Sequence, residues 1–541
     1  MAPPKPLRFW LVFLAIGLTT FLAALDTSII STALPSIAAD LGAQELYVWV
    51  VNAYLLASTV SSAVCGQAAN LFGRRSMTAG AVVLFAVGSA VAGAAHSTAM
   101  LLGGRAVQGV GGGGIVTMSE VVVCDLVSLR ERGLYAGIIG AVWAVAAVVG
   151  PIIGGGFAQH ISWRWIFYIN LPIGGAALLL IVPLLRLRNP HREVPLGERV
   201  RRVDWGGNTM LTLAVSAILL ALTWAGTTHA WASWRTIVPL GLGVVGLAAF
   251  LGFEATRWAP EPTMPVRLFA NRSAAALFAL SFVHSMLLFW VCYFLPVYFQ
   301  AVREASPARS AVMLFPIATT TAPAGILAGA LITKTGRYRA WHFGGFVLMT
   351  VACGLFTRLD EHSGPGRWTG FQILFGVGTG VVFTSTLPPI LACLDEGDVA
   401  TATATWTFLR NFGSVWGTAI PAAVFNTRAN RMAAQDIADA QAQALLVHGG
   451  AYERATKAFV TRFHARPLLF AAVQRLYVVS LKEVWRVSIA FSGMGLLLAF
   501  LVRSYPLRDQ LNTAYGMEET EETEKTSDSE GHTGLERHGH A

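Results

Sequence analysis

Four ionisable residues lie inside long apolar stretches of this 541-residue chain: Asp26, Arg105, Glu120 and Arg410. A charge at the centre of a bilayer-spanning helix costs at least about 2.5–3.5 kcal/mol, so such residues are kept for pairing, proton exchange or ligand contact. At 1.5 Å per residue, Asp26 falls about 7.5 Å and Arg105 about 9 Å outward of the centres of their stretches, which run in opposite directions. A carboxylate and a guanidinium at one depth can pair, and protonating the carboxylate frees the guanidinium. A static ion pair that holds the helices is the plainer reading of the same residues. Arg410 falls about 3 Å inward of its own centre with no acid at its depth, and is expected to face a cavity, near backbone carbonyls or an anionic ligand group. Glu120, near the inner end of its stretch, reads equally as a relay acid or as a surface acid reaching the headgroups.

The elements that position these residues are apolar helices. The chain is 54% hydrophobic and only 13% charged, against about 25% charged in soluble proteins. Runs of about 20 apolar residues, enough to cross a hydrocarbon core, recur fourteen times, from 10–32 to 485–503. The expected fold is therefore an all-α polytopic membrane protein. Arg74, Arg75, Arg130, Arg132, Arg186, Arg188, Arg199, Arg201, Arg202, Lys334, Arg337 and Arg339 fall in loops on one side, which assigns that side and both termini to the cytoplasm. This asymmetry accounts for the net charge of +9 without a nucleic-acid partner. The five cysteines, Cys65, Cys124, Cys292, Cys353 and Cys393, have no paired spacing, so no metal site and no cofactor are expected. No phosphate-binding loop of the GxxxxGK[ST] type is present, which argues against ATP as the energy source.

An internal echo links "GQAANLFGRR" (Gly66 to Arg75) after the second span with "GALITKTGRYR" (Gly329 to Arg339) after the tenth. Each has a glycine at the inner helix end, a second glycine seven residues on (Gly73 in the first copy), then basic residues. Duplicated halves of this sort characterise secondary transporters. Asp125, at the inner end of the fourth span, is the candidate acid for a latch to Arg74 or Arg75. In the fifth span, "GPIIGGG" puts Gly150, Pro151, Gly154 and Gly155 into a purely apolar context, at about 1 kcal/mol per glycine and about 3 for the proline in a helix. Small residues let membrane helices approach closely, so these mark a packing seam.

Seven segments in this order, "LDTSIISTALPSIAADL", "GQAANLFGRR", "GRAVQGVGGGG", "DLVSLRERGLYAGIIG", "GPIIGGG", "WRWIFYINLPIGG" and "YFLPVYFQAV", resemble the major facilitator superfamily, in particular its fourteen-span drug/proton antiporter branch of fungal efflux pumps. The resemblance implies two six-helix bundles with two additional central spans between them. It implies proton-coupled export of small amphipathic organic molecules by alternating access, from a monomer in the plasma membrane or, alternatively, the vacuolar membrane. The partners are then a small-molecule substrate, protons and the lipid bilayer, and the chain is not an enzyme. In that fold the first and fourth spans are neighbours, which favours an Asp26–Arg105 pair, and the "GPIIGGG" face packs against the other half near the outer gate. The chain departs from the family pattern at Asn70, where the loop acid is missing, and that puts more weight on Asp125.

The expected organisation is an N-tail (1–9), a first bundle (10–185), a basic loop (186–205), two additional spans (206–256), five spans of a second bundle (257–423), an outer insertion (424–484), a last span (485–503) and an acidic disordered tail (504–541).

Overall fold

The computed structural model describes residues 5–41, 47–188, 190, 193–225, 229, 231–259, 261–509 and 515–516. Fourteen long helices run through these residues. They are α1 (Leu7–Asp40), α2 (Tyr47–Phe72), α3 (Arg74–Gly93), α4 (Thr98–Leu126), α5 (Arg132–His160), α6 (Asn170–Leu184), α7 (Trp205–Trp224), α8 (Trp234–Glu254), α9 (Arg272–Val297), α10 (Phe315–Thr335), α11 (Arg339–Phe356), α12 (Pro365–Ala392), α13 (Val399–Asp436) and α14 (Pro467–Leu501). Thirteen of the fourteen have the length and apolar composition of a membrane span, α6 together with the turn Trp165–Tyr168 that leads into it. The exception is α13, which contains the expected span 401–423. Its first turns read "VATATATWTFLRN" and are buried from Ala400 to Phe408. A helix enclosed by other helices has no need of a lipid-compatible surface, so threonines whose hydroxyls bond back into the helix replace leucines there.

Two large apolar cores form, one centred on α1–α6 and one on α9–α14, with Ala400 of α13 joining the first and Cys124 and Leu129 joining the second. The hairpin α7–α8 packs through Leu211, Val215 and Ile218 beside Phe408 and Phe412 of α13, and turns Leu242 and Val245 outward. In the first bundle α4 lies between α2 and α3, because Gly109 and Gly112 leave room for Tyr54 on one side and Gly111 for Phe85 on the other.

The two halves meet along two pseudo-equivalent pairs, α2 with α13 and α5 with α10. The echoed glycines sit at these crossings: a Cβ on Gly66 would collide with Ala404 of α13, and one on Gly329 with Gly133 of α5. Seven residues on, Gly73 has φ 85° and Gly336 has φ 66°, left-handed geometry that favours glycine where each helix must stop and turn.

Two expected boundaries move. Helix α13 continues to Asp436 and α14 begins at Pro467, so the helices extend well into the region expected as an outer insertion, leaving 437–466 with only short helical turns. Residues 504–509, expected to open a disordered tail, are bound to the loop face: the Tyr505 amide donates to Tyr338 Oη at 2.6 Å, and Tyr338 Oη donates at 3.1 Å to the carbonyl of Arg503, the last residue of the expected final span. The acidic stretch beyond Gly516 lies outside the described residues.

Candidate functional site

Asp26 and Arg105 meet as their depths suggest, with Arg105 Nη1 2.6 Å from Asp26 Oδ2 and both about 1% exposed. The surrounding residues complete the cluster. Arg105 Nε donates to the Val50 carbonyl at 3.0 Å, and its Nη1 also donates to Gln108 Oε1 at 2.7 Å. Gln108 Nε2 donates to Asp26 Oδ1 at 2.7 Å, and Asn170 Nδ2 reaches the same oxygen at 3.2 Å. The guanidinium lies 4.4 Å from the ring centroid of Tyr54. Ser89 of α3 accepts from Gln108 Nε2 at 2.7 Å and from Asn170 Nδ2 at 3.2 Å, so five helices (α1, α2, α3, α4 and α6) close around one charge pair, all within the first bundle. Sequence reasoning missed Tyr54, Ser89, Gln108 and Asn170, since single polar residues in apolar runs carry no partner information.

The other two intramembrane charges come from different halves. The Arg410 guanidinium of α13 lies over the neighbouring rings of Phe383 (4.4 Å) and Trp406 (4.5 Å), and its Nε is buried without a hydrogen-bond partner. Glu120 of α4 is 5% exposed and lies within electrostatic range of Arg410 without direct contact. One expectation is corrected here: Arg410, expected to have no acid at its depth, has Glu120 within electrostatic range. Of the two readings open for Glu120, its burial is that of an acid enclosed by helices and not of one reaching the headgroups. Contacts just below hold α4 on α13, with Thr403 Oγ1 3.9 Å from Cys124 Sγ. Above them, Asn411 Nδ2 of α13 donates to Ser62 Oγ of α2 at 3.0 Å.

On the loop face, Arg74 Nε is 2.8 Å from Asp125 Oδ2, with both side chains at most 2% exposed. Arg75 is exposed and takes no part. Asn70 supplies the missing acceptor as a neutral group, its Oδ1 receiving Arg74 Nη1 at 3.0 Å. The expected latch is therefore a buried pair within one half and does not itself bridge the halves. Arg130 does bridge them: its Nε donates to the Thr333 carbonyl at 2.5 Å and its Nη2 to that of Lys334 at 2.9 Å. The bound tail segment covers this junction. Asp509 takes a two-pronged contact from Arg130 Nη1 (2.9 and 3.0 Å), Arg508 pairs with Glu396 at 2.9 Å, and the Tyr515 ring lies 3.3 Å from the Arg74 guanidinium. In the second half, Asp398 is held by Arg267 at 2.7 and 3.0 Å, and the echoed Arg337 and Arg339 stay exposed.

The glycine seam is also displaced from its expected place. A Cβ on Gly150 would collide with Ser28 of α1, in the same half, and one on Gly155 would meet nothing within 4 Å. Pro151 is half-buried and Gly154 buried. Contact with the other half is made by the loop-side end of α5, where Gly137 meets Ile326 and Gly325 of α10, and Gly140 meets Phe383 of α12. Phe383 also covers Arg410, so the seam and the central arginine share a side chain. At the outer end, Asp40 accepts from Trp163 Nε1 (2.9 Å) and Arg164 Nη1 (3.0 Å), and these two bonds hold its carboxyl below the usual carboxylate range.

Comparison with known proteins agrees with this architecture. The Major Facilitator Superfamily profile matches residues 16–418. The chain is 68% identical over 518 residues (96% of this chain, 93% of the relative) to the "Acurin A biosynthesis cluster MFS-type transporter" of Aspergillus aculeatus. It is 62% identical over 533 residues (98% and 94%) to an MFS-type efflux pump of a Fusarium species, and 61% identical over 526 residues (97% and 93%) to an efflux pump of Gibberella moniliformis. Among solved structures, the human organic anion transporter MFSD10 superposes with a TM-score of 0.55 at 15% identity, over 92% of this chain and 100% of that one. At that identity the likeness concerns the fold alone.

Proposed function

Because this chain belongs to the Major Facilitator Superfamily, we propose that it exports small amphipathic organic molecules, of the secondary-metabolite kind, across the plasma membrane in exchange for protons. It is a multi-pass membrane transporter, and its relatives at 61–62% identity are named efflux pumps. The basic-loop side is taken as cytoplasmic from the loop charges. Alternating access proceeds by rocking of the two halves about α2–α13 and α5–α10, with the cytoplasmic side closed in this conformation by Gly66, Gly329 and Arg130.

The observation that carries the coupling step is Arg410, half-buried over two aromatic rings with its Nε unpartnered and within electrostatic range of Glu120 of the other half. An ion pair split between moving bodies changes its separation as they rock. Protonation of Glu120 relieves its hold on Arg410, and a substrate polar group can take the vacated donor. The rings of Phe383 and Trp406 offer flat apolar surface for the rest of an amphipathic molecule. Asp26 and Arg105, satisfied on every side within one half, serve in this reading as a structural tie.

The test begins with metabolite profiles of cells lacking the protein, which identify a retained compound. Uptake of that compound into everted plasma-membrane vesicles should follow an imposed pH gradient and collapse with an uncoupler. Uptake that ignores the gradient refutes proton exchange.

A further inference from the structure

We propose that Asp204 and Glu254 form a proton-binding site on the two additional helices, one proton held between Asp204 Oδ2 and Glu254 Oε1. Asp204 caps α7, its Oδ1 accepting from the Gly207 amide at 2.8 Å. Glu254 ends α8, its Oε2 accepting from the Met264 amide at 3.1 Å. Each carboxyl therefore spends one oxygen on a backbone amide. The remaining oxygens, Asp204 Oδ2 and Glu254 Oε1, are both buried and without a donor. They face the same spot: a single Cβ on Gly207 would collide with the first and lie 2.7 Å from the second.

A carboxylate has acceptors only, so two ionised carboxylates in contact repel and leave both oxygens unsatisfied. One proton resolves both problems, because the protonated carboxyl donates to its neighbour, and such a pair titrates as a unit. The surroundings supply no alternative. Neither carboxyl forms an ion pair among the described residues, and Glu261 of the adjoining segment is engaged by Arg202 at 3.6 Å. Arg202 also pairs with Glu198, while Arg201 and Arg257 are exposed. From α2 the facing group is neutral Gln67, whose Oε1 accepts from the Asp204 amide and from Thr263 Oγ1, both at 3.3 Å.

The placement gives the proton a mechanical consequence. Gln67 follows Gly66, whose contact with Ala404 of α13 closes the loop side. With the proton in place the ends of α7 and α8 are clamped to the base of α2. Without it, two like charges separate the ends of α7 and α8 beside the gate.

Infrared difference spectroscopy of the purified full-length protein in nanodiscs, titrated through neutral pH, tests this without any transported substrate. The wild type should show the carbonyl band of one protonated carboxyl, lost on alkalinisation, and the band should be absent from both Glu254→Gln and Asp204→Asn. Each amide keeps a hydrogen bond across the pair, so both variants should melt with a weaker pH dependence than the wild type, whose stability falls as the pH rises. A Glu120→Gln control must retain the band. Persistence of the band in either pair variant overturns the proposal. So does a shift of it on adding sodium or potassium at fixed pH, which would make the site one for a metal cation.

Discussion

The two charge pairs of the membrane interior are built to opposite designs. Asp26–Arg105 lies within one half, in direct contact at 2.6 Å, with Gln108, Asn170 and the Val50 carbonyl completing its hydrogen bonds. Glu120–Arg410 crosses between halves, without contact, and leaves Arg410 Nε unpartnered. A closed network resists change, because any displacement breaks several bonds in a medium that offers no replacements. An open one accepts a proton or a ligand with little rearrangement. In the proposed mechanism, the difference separates the charge that holds a bundle together from the charge that works between bundles.

The largest expected effect follows from the closed network. Asp26→Asn leaves Arg105 charged, buried and without its counter-ion, a loss of about 3–5 kcal/mol, whereas Glu120→Gln removes a partner that Arg410 does not touch and should cost far less. Melting of the purified variants checks this ordering, and equal losses would erase the distinction between the pairs. Next is the buried pair on the loop face. Asp125→Asn leaves Arg74 with Asn70, the Ala69 carbonyl and the Tyr515 ring, so a loss of about 3 kcal/mol is expected, and Asn70→Asp should restore part of it. Greater labelling of cysteines introduced on the cytoplasmic face should accompany the loss.

A smaller effect, read in transport, separates the two ends of α5. Gly329→Leu forces a side chain into the Gly133 backbone of the facing helix, and overpacking of this kind costs about 1–3 kcal/mol, enough to hold the loop side open and lower turnover. Gly155→Leu enters open space and should transport at the wild-type rate; a loss there as large as at Gly329 would return the seam to the outer end. The smallest effect belongs to the bound tail. Asp509→Ala removes a mostly exposed partner of Arg130, a contact worth about 0–1 kcal/mol. It should raise cytoplasmic cysteine labelling only slightly, and less than Arg130→Ala, which also loses the Thr333 and Lys334 carbonyls.

Much of this was legible in the sequence where periodicity and depth decide the matter. The apolar runs locate the helices, residue counting brings Asp26 and Arg105 to one depth, and the echo of Gly66–Gly73 in Gly329–Gly336 falls on the two crossings. What depth cannot supply is direction around a helix. Glu120 and Arg410 lie on helices distant in sequence, and only packing brings them within electrostatic range. For the same reason the glycines of "GPIIGGG" announced close approach without naming the neighbour, which for Gly150 is α1 of its own half. Helix α13 hid its burial behind threonines, since a helix enclosed by protein need not be apolar. The tail segment 504–509 was misread because its attachment depends on single side chains, Tyr338 and Arg130, and on no pattern of its own.

The central claim is that protons act through Glu120 while Arg410 answers across the interface. Reconstituted Glu120→Gln protein should lose accumulation driven by a pH gradient and keep substrate exchange at equal pH on both sides, since the amide preserves shape but cannot release a proton. Gradient-driven accumulation at the wild-type level in that variant would contradict the account.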